Sequence, residues 1–238
     1  MIGLGLGEKK KEVLKAYEKL KSEGIEVQLF DNYKELIDSL LNKEISGAVR
    51  GSLPSKTVLY LREKIGKFYR ASILKNPFYK DEIFLLSPVG IDEISENKEE
   101  RIKDKINIVK YSSNFLNSLN ITPKIGLLSG GRLDDLGRGK VIDKTILEAE
   151  RIKNEIKDLN IVHKGILIEE YLREKCNVII AIDGITGNLI FRCLALIFNL
   201  EGYGAIILNK KVNFIDTSRN GNWKRYYNAV KFLCKGLK

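Results

Sequence analysis

Three features of the sequence predict an α/β fold, with mainly parallel strands and helices flanking them. Short β-branched runs alternate with longer amphipathic stretches from one end to the other. Several of the runs are apolar throughout, as strands covered on both faces are. Polar, glycine-bearing turns stand where a run gives way to a helix, as they do at the carboxyl edge of parallel sheets.

Strands are expected over residues 2–6, 26–30, 45–49, 71–74, 83–86, 124–128, 161–162, 178–182 and 205–208. The first helix, over 9–20, places Val13, Leu14, Tyr17 and Leu20 on one face. Asn32 followed by Glu35 is a capping-box pattern that opens the second. Pro54, tolerated in a first turn, puts the third after the strand end Val49-Arg50-Gly51-Ser52. Asn76-Pro77 and Lys80-Asp81 mark a turn over 75–82, and a charged helix is expected over 94–119. Further helices are expected from near Thr145, around Arg192 and Cys193, and around Trp223, Tyr226 and Phe232.

The 238 residues, 44% hydrophobic and 30% charged, are enough for one large domain or two small ones and exclude a disordered or collagen-like chain. Charges interrupt every apolar run before the roughly 18 residues a membrane span needs. At the amino terminus the basic run follows the apolar residues, the reverse of a secretory signal, so a cytoplasmic protein is expected. Cys176, Cys193 and Cys234 form no Cys-x-x-Cys pair and read as reduced thiols. His163 is the only histidine, which nearly closes off His-rich zinc sites and Ser-His-Asp triads. No metal site is expected. The net charge of +10 favours an anionic partner, with ion-paired, solvated helix faces as the alternative. Nucleic acid is disfavoured, because no basic stripe is interleaved with aromatics.

Five constellations carry chemical potential. Gly3-Leu-Gly-Leu-Gly7, with Asp31 ending the next strand, approaches a nucleotide fingerprint but has Glu8 where the third glycine belongs. Arg50-Gly51-Ser52 at a helix start suits phosphate, through free amides, the helix dipole and a guanidinium; Ser52 as a plain cap is the alternative. The loop from Gly126 to Gly139 carries Ser129, Gly130, Arg132 and Arg138, which allow close approach to an anion, and Asp134 and Asp135, which could pair with those arginines or bind a cation. Asp183-Gly-Ile-Thr-Gly-Asn188 follows an apolar strand and offers Asp183, Thr186, Gly187 and Asn188 to a phosphate or carbonyl oxygen, or simply reverses the chain. In Asp216-Thr-Ser-Arg-Asn-Gly221, Arg219 could grip a phosphate bidentately while Ser218 donates to a developing oxyanion; Ser218 as a helix cap is the alternative.

These motifs, in order, resemble the phosphate acyltransferase superfamily of phosphate acetyl- and butyryltransferases and phosphate:acyl carrier protein acyltransferases. Pro123-Lys-Ile-Gly-Leu-Leu-Ser129 with its glycine-rich tail and Asp183-Gly-Ile-Thr-Gly-Asn188 are similar to segments of the acyl-phosphate synthase. Asp216-Thr-Ser-Arg219 and Ser46-Gly-Ala-Val-Arg-Gly51 are similar to segments of the acetyltransferases. The whole chain is similar to the methanogen marker protein 4 family of that superfamily, archaeal proteins named as a methyltransferase-associated subunit X.

The resemblance implies an isopropylmalate-dehydrogenase-like fold with two subdomains around a cleft, the first over 1–86 and 205–238 and the second over 87–204. It implies Ser218 and Arg219 as reactive-site residues; from the constellations above, Arg50, Ser52, Ser129, Gly130, Arg132, Asp183, Thr186, Gly187 and Asn188 are expected to bind a phosphorylated or acyl-phosphate small molecule. It implies a transferase and a homodimer. The sequence fixes no cofactor; coenzyme A or another acyl carrier enters only as a co-substrate implied by the family. The chain departs from the acetyltransferases at Arg50, Asn220 and Arg225, positions that bear on thiolate activation. The alternatives are a methyltransferase subunit in methanogenesis, with other methyltransferase subunits as partners, and a non-catalytic anion- or nucleotide-binding module.

Overall fold

A computed structural model describes residues 1–209 and 212–236. Its contacts divide the chain into two units, Met1–Phe68 with Glu201–Lys238, and Tyr69–Leu200. Both are α/β and mainly parallel.

In the first unit the strands are β1 (Ile2–Gly5), β2 (Val27–Phe30), β3 (Gly47–Val49), β9 (Gly202–Ile207) and β10 (Phe214–Asp216), in the spatial order β2-β1-β3-β10-β9. β1 runs parallel to β2 and β3, β3 parallel to β10, and only β9 is antiparallel to its neighbour β10. The helices are α1 (Lys10–Ser22), α2 (Tyr33–Leu41), α3 (Lys56–Ile65) and α8 (Trp223–Gly236). α1 buries Val13, Ala16 and Leu20 at helical spacing, whereas Leu14, expected on the same face, is exposed and Tyr17 only half-buried. α2 starts where expected, because the Asn32 side chain accepts from Lys34 N at 2.9 Å. Leu36, Ile37 and Leu40 of α2 join Phe30, Leu53, Leu61 and Phe214 in one buried cluster.

In the second unit β4 (Arg70–Lys75), β5 (Ile83–Ser87), β6 (Lys124–Leu127), β7 (Asn160–His163) and β8 (Val178–Ile180) lie in the order β4-β5-β8-β6-β7. Only β4 is antiparallel to its neighbour β5. The helices are α4 (Lys98–Ser118), α5 (Lys140–Glu155), α6 (Ile168–Arg173) and α7 (Gly184–Phe191), and α7 continues into a π-helical segment, Arg192–Ile197.

Some boundaries differ from the expectation for local reasons. α4 begins at Lys98, not Ile94, because the Asn97 side chain accepts from Glu99 N at 3.0 Å and Glu100 N at 3.2 Å. α5 starts at Lys140, ahead of Thr145. The six residues of α6 are too few to show a helical period, and β10 was read only as a short apolar segment. No helix among the described residues is long and apolar enough to cross a membrane.

Candidate active site

The end of β3 and the end of β10 are tied together by Arg50. Its guanidinium is buried, with Nε donating to Asp216 Oδ1, Nη2 donating to the Thr217 carbonyl, and Nη1 donating to the Leu53 carbonyl at 3.0 Å. Thr217 Oγ1 donates to the Gly51 carbonyl at 2.8 Å. Three chain segments therefore meet at this edge almost backbone to backbone. A Cβ on Gly5 would stand 2.1 Å from the Arg50 carbonyl oxygen, and one on Gly7 would stand 2.2 Å from that of Ser52. Gly51 has φ +61 and would collide with the Gly5 carbonyl at 1.9 Å.

This packing accounts for Gly5 and Gly7 without a nucleotide, and a Cβ on Gly3 would meet the core side chains of Ile45 at 2.6 Å and Leu36 at 2.7 Å. Gly7 N donates to Ser52 Oγ at 2.9 Å and Glu8 N to the Ser52 carbonyl at 3.3 Å, so these amides already have partners. Ser52 itself is fully buried, and its hydroxyl holds the β1 turn rather than capping α3.

Beyond β10 the chain turns through Ser218 and Arg219 into α8. The Tyr226 hydroxyl sits 3.1 Å from the carbonyl oxygens of both residues and donates to them. Burial pushes the Tyr226 phenol up to about 12, so it stays a donor at any physiological pH. Asn220 N donates to Ser218 Oγ at 3.3 Å, which leaves the serine's own proton directed elsewhere. Arg219 is exposed, with Nη1 3.4 Å from Glu8 Oε1. Arg225, one turn into the helix region, is half-buried, and burial lowers its pKa. Glu12 of α1 accepts from Trp223 N at 2.7 Å and so occupies the amino end of α8.

In the second unit Asp183 caps α7, accepting from Thr186 N at 2.7 Å. The two glycines of that motif allow backbone contact: a Cβ on Gly184 would stand 1.8 Å from the Gly90 carbonyl oxygen and one on Gly187 1.9 Å from that of Pro88. Asn188 Nδ2 donates to the Val89 carbonyl at 3.0 Å. The motif is thus locked onto residues 88–90, which follow a cis Ser87-Pro88 bond.

The glycine-rich loop is anchored by its serine. Ser129 is fully buried, and its Oγ lies 2.9 Å from His163 Nε2 while His163 Nδ1 lies 2.6 Å from Glu150 Oε1. Sequence reasoning set this histidine aside, and Glu150 gave no signal; that three separated residues would converge is visible only in three dimensions. The order of groups is that of a catalytic relay, but a hydroxyl sealed from solvent cannot meet a substrate as placed. It holds the loop to β7. Gly130 N donates to Thr145 Oγ1 at 2.8 Å, and Arg132 N to Asp135 Oδ2 at 2.8 Å. Asp135 pairs with Arg138, as the sequence allowed, and its carboxyl is held below its ordinary value by the Arg132 amide and then by Arg138. The Arg132 residue is exposed.

Behind that loop α4 and α5 bury a charged cluster that sequence reasoning missed. Arg101 binds Glu148 through Nε at 3.2 Å and through Nη2, and Lys105 Nζ stands 3.5 Å from Glu148 Oε2. Burial works to raise the Glu148 carboxyl, but the Arg101 hydrogen bond and the charges of Lys105 and Arg101 hold it below its ordinary value. The Lys105 ammonium is pushed down by burial, against the opposing charges of Glu148 and Asp183. Among the described residues no group of three or more His, Cys, Asp or Glu side chains could hold a metal ion.

No protein-family model matches the chain. An uncharacterized methyltransferase of Methanocaldococcus jannaschii is 67% identical over 239 residues, covering 99% of this chain and 98% of the relative. The chain belongs to that methanogen family. Within the family, a Methanosarcina barkeri protein that carries the provisional name methyltransferase mtx subunit X is 35% identical over 204 residues, 83% of this chain and 73% of its own.

The family fold is that of the phosphotransacylases. A branched-chain phosphotransacylase from Enterococcus faecalis superposes with a TM-score of 0.71 at 15% identity, over 100% of this chain and 99% of its own. A phosphotransacetylase from Streptococcus pyogenes gives 0.66 at 15% identity, over 100% and 94%. Identity this low shows a shared fold and no more.

Proposed function

We propose that this protein is a phosphate acyltransferase-like transferase that binds phosphate or an acyl phosphate at the edge formed by Ser218 and Arg219. The observation that carries the reading is the state of Arg219. Its backbone is fixed by Tyr226, its guanidinium is exposed, and its partner Glu8 stands at a long 3.4 Å on the surface, where an ion pair contributes little. A dianionic phosphate offers the fork two oxygens at once and outcompetes a single distant carboxylate.

Arg50 then plays a different part from the one the sequence suggested for it. With Nε, Nη1 and Nη2 all engaged, it positions Thr217 and hence Ser218, and its charge is matched by Asp216. Catalysis would come from positioning and charge. Arg219 holds the phosphoryl oxygens, and the free Ser218 proton donates to the oxygen that gains charge as the acyl carbon is attacked. The thiolate of an acyl carrier such as coenzyme A attacks the acyl carbon, the acyl carbon–oxygen bond breaks and phosphate leaves with the electron pair; in reverse, phosphate attacks the thioester carbon and the thiolate leaves. The exposed Arg132 of the glycine-rich loop and the Asp183–Asn188 turn are proposed as further binding elements of the second unit.

The names of the methanogen relatives favour a second reading, a subunit of a methyltransferase system. Titration calorimetry with inorganic phosphate, acetyl phosphate, coenzyme A and S-adenosylmethionine separates the two. Phosphate binding that disappears in Arg219→Ala supports the acyltransferase reading. Phosphate binding unchanged in that variant, or binding of S-adenosylmethionine alone, overturns it.

A further inference from the structure

α1 and α8 pack side by side in the first unit, and their outer surfaces join into a seam of cations and aromatic rings. On α1, Lys11, Lys15 and Lys19 are exposed and stand one turn apart; on α8, the half-buried Trp223, Tyr227 and Lys231 repeat that spacing. The two rows meet at both ends, so the helices run the same way. Lys15 Nζ lies 5.0 Å from the centre of the Trp223 ring, with Lys224 Nζ 5.9 Å from it. At the other end the Tyr227 hydroxyl donates to Glu23 Oε1 at 2.8 Å and Lys231 Nζ to Glu23 Oε2 at 2.9 Å.

The carboxylates along this seam are already engaged. Glu12 accepts from Trp223 N at 2.7 Å, and Glu23 is shared by Lys231, Tyr227 and, at 3.1 Å, Lys19, which together hold its carboxyl at about 2. One carboxylate between two ammoniums leaves positive charge in excess. α8 adds to that excess, because residues 217–235 include five Lys or Arg and no Asp or Glu. The seam joins residues as much as 204 positions apart, as Glu23 and Tyr227 are, which is why the sequence displays no basic stripe interleaved with aromatics.

We propose that the seam between α1 and α8 binds single-stranded nucleic acid. Rings set among cations match what that ligand presents, since its phosphates take ammoniums at intervals and its unpaired bases take flat faces to stack on. Successive lysines of the α1 row stand about 6 Å apart, close to one step along an extended phosphate backbone. A duplex offers its phosphates but keeps its bases stacked on each other, and an acidic peptide offers carboxylates without rings, so neither uses Trp223. The net charge of +10 draws a polyanion toward the protein in the first place. The proposal does not depend on the reading of Ser218 and Arg219, neither of which belongs to the seam.

Trp223 is the chain's single tryptophan, so its fluorescence reports on the seam directly. Oligo(U) or oligo(dT) of about 12 nucleotides should quench it on titration into the full chain, and the tighter binder tells RNA from DNA. The logarithm of the affinity should fall against that of the salt concentration with a slope of about 3, the value for roughly four phosphates. Lys15→Gln with Lys224→Gln should weaken binding about tenfold at low salt and cut the slope by about 1.4. Lys103→Gln with Lys110→Gln, the same change of charge at exposed positions of α4, should leave both nearly unchanged. Arg219→Ala should bind the strand as wild type does, whatever becomes of its phosphate binding. No binding, binding without quenching, or an equal loss in the α4 variant overturns the proposal. So does an equal affinity for oligo-aspartate, which would make the seam a site for acidic proteins, or a loss in Arg219→Ala, which would put the strand at the phosphate edge.

Discussion

Tyr226 donates to the carbonyl oxygens of both Ser218 and Arg219, each at 3.1 Å, from the buried face of α8. One phenol on a rigid helix thereby fixes the turn that presents the candidate anion-binding arginine. Tyr226→Phe keeps the packing and removes only the hydroxyl. The variant should lose about 1–2 kcal/mol of stability and bind phosphate several-fold more weakly with its fold intact. Unchanged phosphate affinity, measured by calorimetry, would show that the turn needs no such anchor.

Glu8 stands where it competes for the same guanidinium, with 3.4 Å between Oε1 and Arg219 Nη1. Because both side chains are exposed, removing this carboxylate should leave stability alone. It should also remove a rival anion, so Glu8→Gln should tighten phosphate binding by about two- to fivefold at low salt, with the gain shrinking as salt rises. A weaker affinity in Glu8→Gln would mean that the glutamate assists the ligand instead of opposing it.

The relay from Glu150 through His163 to Ser129 anchors the loop of residues 129–139. His163→Ala would leave a buried serine hydroxyl with one partner fewer and a space beside β7, at a cost of about 1–3 kcal/mol. Amide hydrogen exchange should then speed up at residues 129–131 while β1 and β3 keep their protection. Uniform loosening of the whole chain would contradict a local anchoring role.

The class of fold was legible because it rests on local pattern: the apolar runs at 2–6 and 178–182, the Asn32 cap and the amphipathic first helix all lie where periodicity put them. Short elements were not, since the three residues of β10 and six of α6 hold too little pattern to read. The motifs were seen, but whether their groups face a ligand or each other depends on what folds beside them. Arg50 looked like a free cation at a strand end until Asp216, 166 residues away, took its Nε. Ser129 looked like part of an open loop until His163 and Glu150 arrived from β7 and α5. Buried charges on α4 were hidden for a similar reason, because Arg101 and Lys105 are indistinguishable in sequence from the solvated lysines around them.

Glu148 lies 3% exposed on its side chain between Arg101 and Lys105, and its carboxyl is held below its ordinary value of 4.5. A carboxylate whose pKa is lower in the folded than in the unfolded chain contributes stability that is fully present above the unfolded value. That contribution is lost as pH falls through the folded value. Wild type should therefore lose stability below about pH 4.5 more steeply than Glu148→Gln. The variant itself should be destabilised at neutral pH by about 3–5 kcal/mol, because it strands two buried cations. Urea unfolding of both proteins at neutral and acid pH checks this, and parallel pH curves would show that Glu148 contributes nothing to the acid response.

Gly187 puts two expectations in direct conflict. It lies inside α7, where replacing glycine with alanine ordinarily stabilises by about 1 kcal/mol because the unfolded chain loses freedom. Here the added methyl would stand 1.9 Å from the Pro88 carbonyl oxygen, a backbone atom that cannot move without shifting its neighbours in the chain. Overpacking of this kind costs about 1–3 kcal/mol or more, so the clash should win and Gly187→Ala should destabilise by roughly 2 kcal/mol. Gly236, at the end of α8, provides the control, since an added Cβ there meets nothing within 4 Å. Gly236→Ala should be neutral or gain a few tenths of a kcal/mol. Chemical denaturation of the two variants side by side decides the matter. If Gly187→Ala proves as stable as Gly236→Ala, the close seating of the Asp183–Asn188 turn on residues 88–90 is wrong, and its glycines would need a different reason, such as room for a bound ligand.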